Sequence, residues 1–172
     1  MKHIDDLKAL TELMNLMADG RPLIYFAHPM STYGTELELK IIANLEEAGY
    51  AVVNPSADWM QEAFQRFRAA NPGNYMEFFA RVARYCRACA ALPFPEGLNI
   101  DGLTEDEKKL PLVGFGISYE VESMLKLRRP IFLLKEGTGT HNWQLLPFKS
   151  LSECTQLDRN QTRQALNLYK PD

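Results

Sequence analysis

The chain is poor in several features that would decide its class at once. Its 172 residues hold only three cysteines. That odd, small number argues against a disulfide framework and makes a reducing cytoplasm the expected setting. No run approaches the ~20 consecutive apolar residues of a membrane span. Met1 to Ala18 alternates charged and apolar residues, unlike a secretory signal. Positive charge is not in excess: 19 Lys and Arg against 22 Asp and Glu give a formal net charge of −3. The basic patch of a nucleic-acid polymer binder is therefore missing. Repeats, low-complexity tracts and linkers are also missing. What is present, 46% hydrophobic and 24% charged residues, is ordinary globular composition, and one domain over 1–172 is the economical reading.

The apolar pattern alternates between helical and strand periods. Ile4, Leu7, Leu10, Leu13, Met14 and Met17 make one helical stripe. This extra helix, spanning about 3–19, ends at Gly20 and Pro22 and is read as an addition or an oligomer contact. Leu23 to Ala27 is a short buried strand, followed by a loop from His28 to Gly34. Thr35 with Glu38 has the spacing of a capping box, opening a helix that Gly49 closes. Ala51 to Val53 is a second strand. Helices are expected over Ala57 to Ala70, with Trp59, Ala63, Phe64 and Phe67 inward, and over Tyr75 to Cys86, with Phe79, Val82, Ala83 and Cys86 inward. Cys89 to Leu92 is a third strand.

Pro95 to Val113 is polar and carries the run Glu105-Asp106-Glu107-Lys108-Lys109, read as a solvated loop or a lid. Ile117 to Leu127 is helical, Ile131 to Leu134 is a fourth strand, and Trp143 to Phe148 is an edge strand. Asp158 caps a last helix, in a tail over 135–172 packed on the domain. The alternation implies an α/β fold: a three-layer, mostly parallel Rossmann- or flavodoxin-like sheet with helices on both faces.

In open sheets of this kind ligands bind beyond the carboxyl ends of the strands. Four segments meet at that edge: the His28 to Thr35 loop, the turn at Asn54, the Pro93 to Gly116 loop, and the helix start before Glu120. Gly114 and Gly116 permit close approach of backbone to ligand. The helix start offers free N–H groups and a positive dipole end. Glu120, in the first turn or so, is either a dipole partner or a functional carboxylate.

Three segments, in order, carry a resemblance: IYFAHPMSTYGTELE, YAVVNPS and GFGISYEVESMLKLRRPIFLL. They are similar to the opening strand and loop, the second strand, and the glycine-rich turn with its following helix and strand in the nucleoside 2-deoxyribosyltransferase family and its relatives, the 2′-deoxynucleoside 5′-phosphate N-hydrolases. The match spans Leu23 to Leu134. It implies cleavage of the N-glycosidic bond of a nucleoside or nucleotide, hydrolysis ahead of base transfer. A glutamate attacks C1′ and forms a covalent glycosyl-enzyme, as in retaining glycosidases. It also implies a homodimer or larger homo-oligomer, and no metal or organic cofactor.

Carried over by motif, Glu120 is the nucleophile and Tyr119 a contact to it or to the sugar. Glu77 is the candidate second acid, with Asp58 its rival; each is otherwise a surface carboxylate or helix cap. Tyr25, Pro29, Met30, Ser31, Tyr33, Gly34 and Thr35 would line the sugar or 5′ end, with Asn54, Gly116 and Ser118 beside them. His28 is either a phosphate or base contact or a packed loop residue. Phosphate-preferring relatives carry a serine six residues before the glutamate, and the transferases an aspartate. Here that residue is Gly114.

Other signals are weak. Cys86-Arg87-Ala88-Cys89 is a CxxC without a partner pair, read as core. His141, Gly137-Thr138-Gly139 and Arg128-Arg129 lack the context of a site. Two further readings stay open: an NAD-cleaving glycohydrolase, and a nucleotide-binding sensor without turnover.

Overall fold

The structure is a computed structural model that describes residues 6–138 and 143–172. Strands β1 (Leu23–Ala27), β2 (Ala51–Val53), β3 (Ala88–Ala91), β5 (Ile131–Glu136) and β6 (Trp143–Phe148) form one sheet in the order β2-β1-β3-β5-β6. β1 pairs parallel with both β2 and β3, and β3 with β5; β6 closes the edge antiparallel to β5. Two short strands, β4 (Leu112–Val113) and β7 (Thr155–Gln156), pair separately.

β1 is buried throughout, because successive side chains feed two different cores. Leu23, Tyr25 and Ala27 face one core with Cys89 and Ala91. Helices α1 (Leu7–Ala18), α3 (Asp58–Ala70), α4 (Glu77–Ala83) and α5 (Phe115–Lys126) cover it, through residues such as Leu13, Met60, Phe78, Val121 and Met124. Ile24 and Phe26 face the other core with Ala88, Ala90 and Leu92, under Ile41 and Leu45 of α2 (Glu36–Glu47). The fold is the expected three-layer α/β arrangement. No helix among the described residues is long and apolar enough to cross a membrane.

The segment read as a polar loop or lid is neither throughout. Phe94, Ile100 and Leu112 form a third core with Leu157 and with Ala165 of α6 (Arg159–Leu168). Its apolar residues are spaced too widely to show a period, yet they close on one helix face. The charged run is solvated: Lys108 pairs with Glu105 and Lys109 with Asp106.

Other expectations shift in detail. Ile4 of the first stripe lies outside the described residues. Ala9 and Leu13 carry the burial of α1, while Leu7, Met14 and Met17 are 80%, 67% and 55% exposed. Small Ala9 lets the helix dock on a face other than the most apolar one. In α3, Met60 is buried beside Ala63, whereas Trp59, Phe64 and Phe67 pack only partly. α4 is shorter than expected, and Phe78 takes the core position; Phe79 is half-buried against Phe64 at 4.7 Å between ring centroids. α5 starts at Phe115, not Ile117. At 3.6 residues per turn, Glu120 is in the second turn, beyond the reach of a dipole cap.

Replacing Phe78 by Ala is expected to lower the unfolding free energy by about 3–5 kcal/mol, and Phe79→Ala by less than about 2 kcal/mol. Urea titration of both variants checks this; equal losses would contradict the assignment of the core.

Candidate active site

The strand order reverses at β1, with β2 on one side and β3 on the other. The crevice at such a reversal is where α/β sheets bind ligands. The loop leaving β1 turns through a 3₁₀ segment, Met30–Thr32, and Gly34 at φ 73°. Thr35 does cap α2, its hydroxyl accepting from the Glu38 N–H at 3.3 Å. Glu38 does not return the bond to Thr35, so there is no capping box. Its buried carboxylate accepts from the Gly34 N–H at 2.7 Å, from the Asn54 amide at 3.1 Å, and from the Ser56 hydroxyl. This carboxylate therefore ties the loop after β1 to the turn after β2.

His28 belongs to the same network. Its Nε2 lies 3.0 Å from Asn54 Oδ1 and its Nδ1 2.6 Å from Thr32 Oγ1. Burial pushes its pKa down to about 4, against the opposing pull of Asn54 and Glu38, so the ring is neutral at pH 7. The Asn54 amide nitrogen is committed to Glu38 and Ser56. Its oxygen therefore faces the ring at Nε2, while Thr32 Oγ1, which donates to the Pro29 carbonyl at 2.7 Å, faces Nδ1. The ring stacks on Phe26 at 4.0 Å. Of the two readings, the packed loop residue fits this geometry. Pro29 is buried with it, while Met30 is exposed.

Glu120 contrasts with Glu38. It is 7% exposed, and burial drives its pKa up from 4.5 to about 8. The Tyr25 hydroxyl pulls toward the ionised form, but it does not complete a hydrogen bond of ordinary geometry. Among the described residues no cation enters the balance. Tyr25, Tyr33 and Cys89 are all raised, first by burial and then by the charge on Glu120. The carboxyl thus lies over the junction of β1 and β3, at the point of strand reversal. Tyr25, Ser31 and Ser118 have buried hydroxyl oxygens without a hydrogen-bond partner. Such groups are rare away from ligand sites.

Tyr119 points elsewhere. Its hydroxyl donates to Glu77 Oε2 at 2.8 Å. Glu77 also meets Arg81 at 3.4 Å and Arg84 at 3.3 Å. Burial would raise Glu77, but Tyr119 and the two guanidiniums together hold it below its ordinary value. An ionised carboxylate so occupied has no proton to give. Tyr119 also lines a small pocket of about 100 Å³ with Gly73 to Met76, Phe115 and Arg159. Asp58 is exposed at the first position of α3, behind the N-cap Ala57, where it acts as a dipole partner. The structure therefore gathers Tyr25, Tyr33 and Glu120, and leaves Glu77, Tyr119 and Asp58 in structural roles.

Gly114 is the N-cap of α5. A Cβ there would stand 3.2 Å from Phe94 Cε2 and 3.3 Å from Thr162 Cγ2, so a relative's serine or aspartate would require both side chains to give way by a few tenths of an ångström. Gly116 is less constrained: its Cβ would meet only the flexible end of Met76, at 3.3 Å. Cys86 and Cys89 are free and buried, and burial pushes both thiols up, as expected of core cysteines. Arg128 adopts φ 54° just after α5, and the Arg129 N–H returns to the Met124 carbonyl at 3.1 Å. His141 and Gly139 lie outside the described residues. Sequence reasoning missed Ser56 and Thr162. The Asn-Pro-Ser turn offered a faint signal for the first; nothing local marks the second.

No protein-family model, curated protein or solved structure matches the chain.

A carboxyl whose pKa is raised on folding stabilises the protein fully below its unfolded value, and that stability is lost as pH rises through the folded value. For Glu120 the loss falls between about pH 4.5 and 8. Glu120→Gln should flatten this slope and raise the Tm at pH 8 by roughly 2–4 °C or more. Thermal melts of both proteins from pH 5 to 8.5 check it; parallel curves would contradict the burial of an unpaired carboxyl.

Proposed function

We propose that the protein cleaves the N-glycosidic bond of a nucleoside or nucleoside 5′-monophosphate, with Glu120 as nucleophile and water ahead of a second base as acceptor. One observation carries this reading. A buried carboxyl with no cationic partner among the described residues lies against β1 and β3, the neighbouring strands at the reversal of an α/β sheet. Burying such a group without compensation is unfavourable. A substrate that develops positive charge in the crevice supplies the compensation, and an oxocarbenium-like sugar does so. The carboxylate adds to C1′ as the base departs with the bonding pair; water then releases the sugar. The ordered resemblance of three segments to the nucleoside 2-deoxyribosyltransferase family agrees with this assignment.

Within the proposal, Tyr25 and Tyr33 hold and orient the carboxylate, and Ser31 and Ser118 offer hydroxyls to a polyhydroxylated ligand. Glu77 is given no proton transfer; it fixes Tyr119. His28 is given no ligand contact; it fixes the loop. Homo-oligomerisation belongs to the same proposal, with the exposed Leu7, Met14 and Met17 of α1 as the apolar surface available to it.

The test is a screen of ribo- and deoxynucleosides, their 5′-monophosphates and NAD for released base. Glu120→Ala is expected to lose at least about a thousandfold in turnover. For the wild type, kcat/KM should rise with pH with an apparent pKa near 8 and then level, because the nucleophile must be ionised. A rate that falls through the same range would make Glu120 a proton donor instead. Absence of base release from every compound, with or without an acceptor base, would overturn the enzyme reading. Ligand binding without turnover would then favour a sensor.

A further inference from the structure

Helix α5 carries Glu120 but has no N-cap side chain of its own. The first N–H groups of a helix lack intrahelical partners and need acceptors from outside. The usual acceptor is a Ser, Thr, Asp or Asn at the N-cap, and Gly114 offers nothing. The Phe115 N–H, first in the helix, instead donates to Thr162 Oγ1 at 2.8 Å, across 47 residues of sequence. A Cβ on Gly114 would lie 3.3 Å from Thr162 Cγ2 and 3.7 Å from Thr162 Oγ1. A local cap and Thr162 therefore compete for one space, and the chain uses the distant one.

Thr162 is itself held firmly. Asp158 and Gln161 form a capping box at the start of α6. Gln161 donates to the Asp101 carbonyl at 3.1 Å, and Gln164 accepts from the Asp101 N–H at 3.0 Å. The Leu157 N–H bonds the Val113 carbonyl at 2.9 Å, one residue before Gly114. The Arg159 guanidinium lies over the Phe115 ring at 4.9 Å. Residues 155–168 thus grip the start of α5 from outside the layers that bury the rest of it.

We propose that Thr162 is a positioning residue for Glu120: its hydroxyl serves as the N-cap of α5 in trans, so the C-terminal segment sets where the glutamate helix begins and how its second turn sits over β1 and β3. The cap stands on geometry alone. Its effect on catalysis rests on the function proposed above.

The experiment compares the full-length wild type with Thr162→Val, Thr162→Ser and the double variant Gly114→Ser/Thr162→Ala. Amide exchange of Phe115 by NMR should speed up about tenfold or more in Thr162→Val and return toward wild type in Thr162→Ser. The double variant offers a local hydroxyl that reaches the Gly116 or Ile117 amide and not Phe115, so exchange should slow at Ile117 and stay fast at Phe115, a contrast that is read even if Thr162→Val folds poorly. Gly114→Ser alone should weaken the protein, because Thr162 occupies the space. For catalysis, Thr162→Val is expected to lower kcat by about tenfold with little change in KM, with recovery in Thr162→Ser. If wild type releases no base, the functional reading fails, but the positioning claim is still read by ¹³C NMR titration of the Glu120 carboxyl. Its midpoint should then move in Thr162→Val by more than about 0.5 pH unit. Unchanged Phe115 exchange in Thr162→Val overturns the cap. A faster exchange with unchanged kcat, or with an unmoved Glu120 titration, overturns the positioning role.

Discussion

The reversal of strand order at β1 is the constraint on which the rest of the molecule depends. Because β1 pairs on both sides and is buried on both faces, its residues cannot reach water along the strand. The first backbone free of the sheet is His28, and everything that can touch a ligand has to be arranged from there. The carboxyl of Glu120 comes from α5 onto the junction of β1 and β3, beside Tyr25 and Cys89. A carboxyl placed there has neither water nor cation to stabilise its charge, and its raised pKa follows from position rather than from any special neighbour.

Much of this arrangement is visible in the residues. LIYFA can only be a strand buried on both faces, and the Asp158 cap and the edge strand at Trp143 follow from local chemistry. The elements that were displaced share a cause. Phe78 and Phe79 are adjacent and equally apolar, so the apolar pattern alone does not decide which of them faces the core. Ala9 outcompetes larger neighbours because docking distance, not hydrophobicity, selects the face. The widely spaced Phe94, Ile100 and Leu112 show no period, because the helix that gathers them arrives some fifty residues later in the chain.

The candidate site was legible in the same uneven way. The Thr-x-x-Glu spacing at Thr35 is satisfied equally by a capping box and by a glutamate that reaches past its own helix. Only the meeting of the β1 and β2 turns decides between them. Gly114 looked like a missing ligand contact. In the fold it is the clearance that Thr162 and Phe94 need, and the group that takes over the cap lies on the last helix. Long-range replacement of a local motif leaves no mark on the motif itself beyond the absence.

Glu38 and Glu120 then show why burial alone does not identify a reactive carboxyl. Both are nearly inaccessible and both sit on helices that pack against β1 or its loop. Glu38 is met by a backbone N–H, an amide and a hydroxyl, so its charge is spread over hydrogen bonds that also hold two loops together. Removing a ligand would change nothing for it. For Glu120 no such set of donors is present among the described residues, and the Tyr25 hydroxyl beside it is itself unsatisfied. Its ionised form is therefore disfavoured by burial. The difference between the two carboxyls lies in the hydrogen-bond donors around each, which are fixed by topology and not by the sequence on either side of the glutamate.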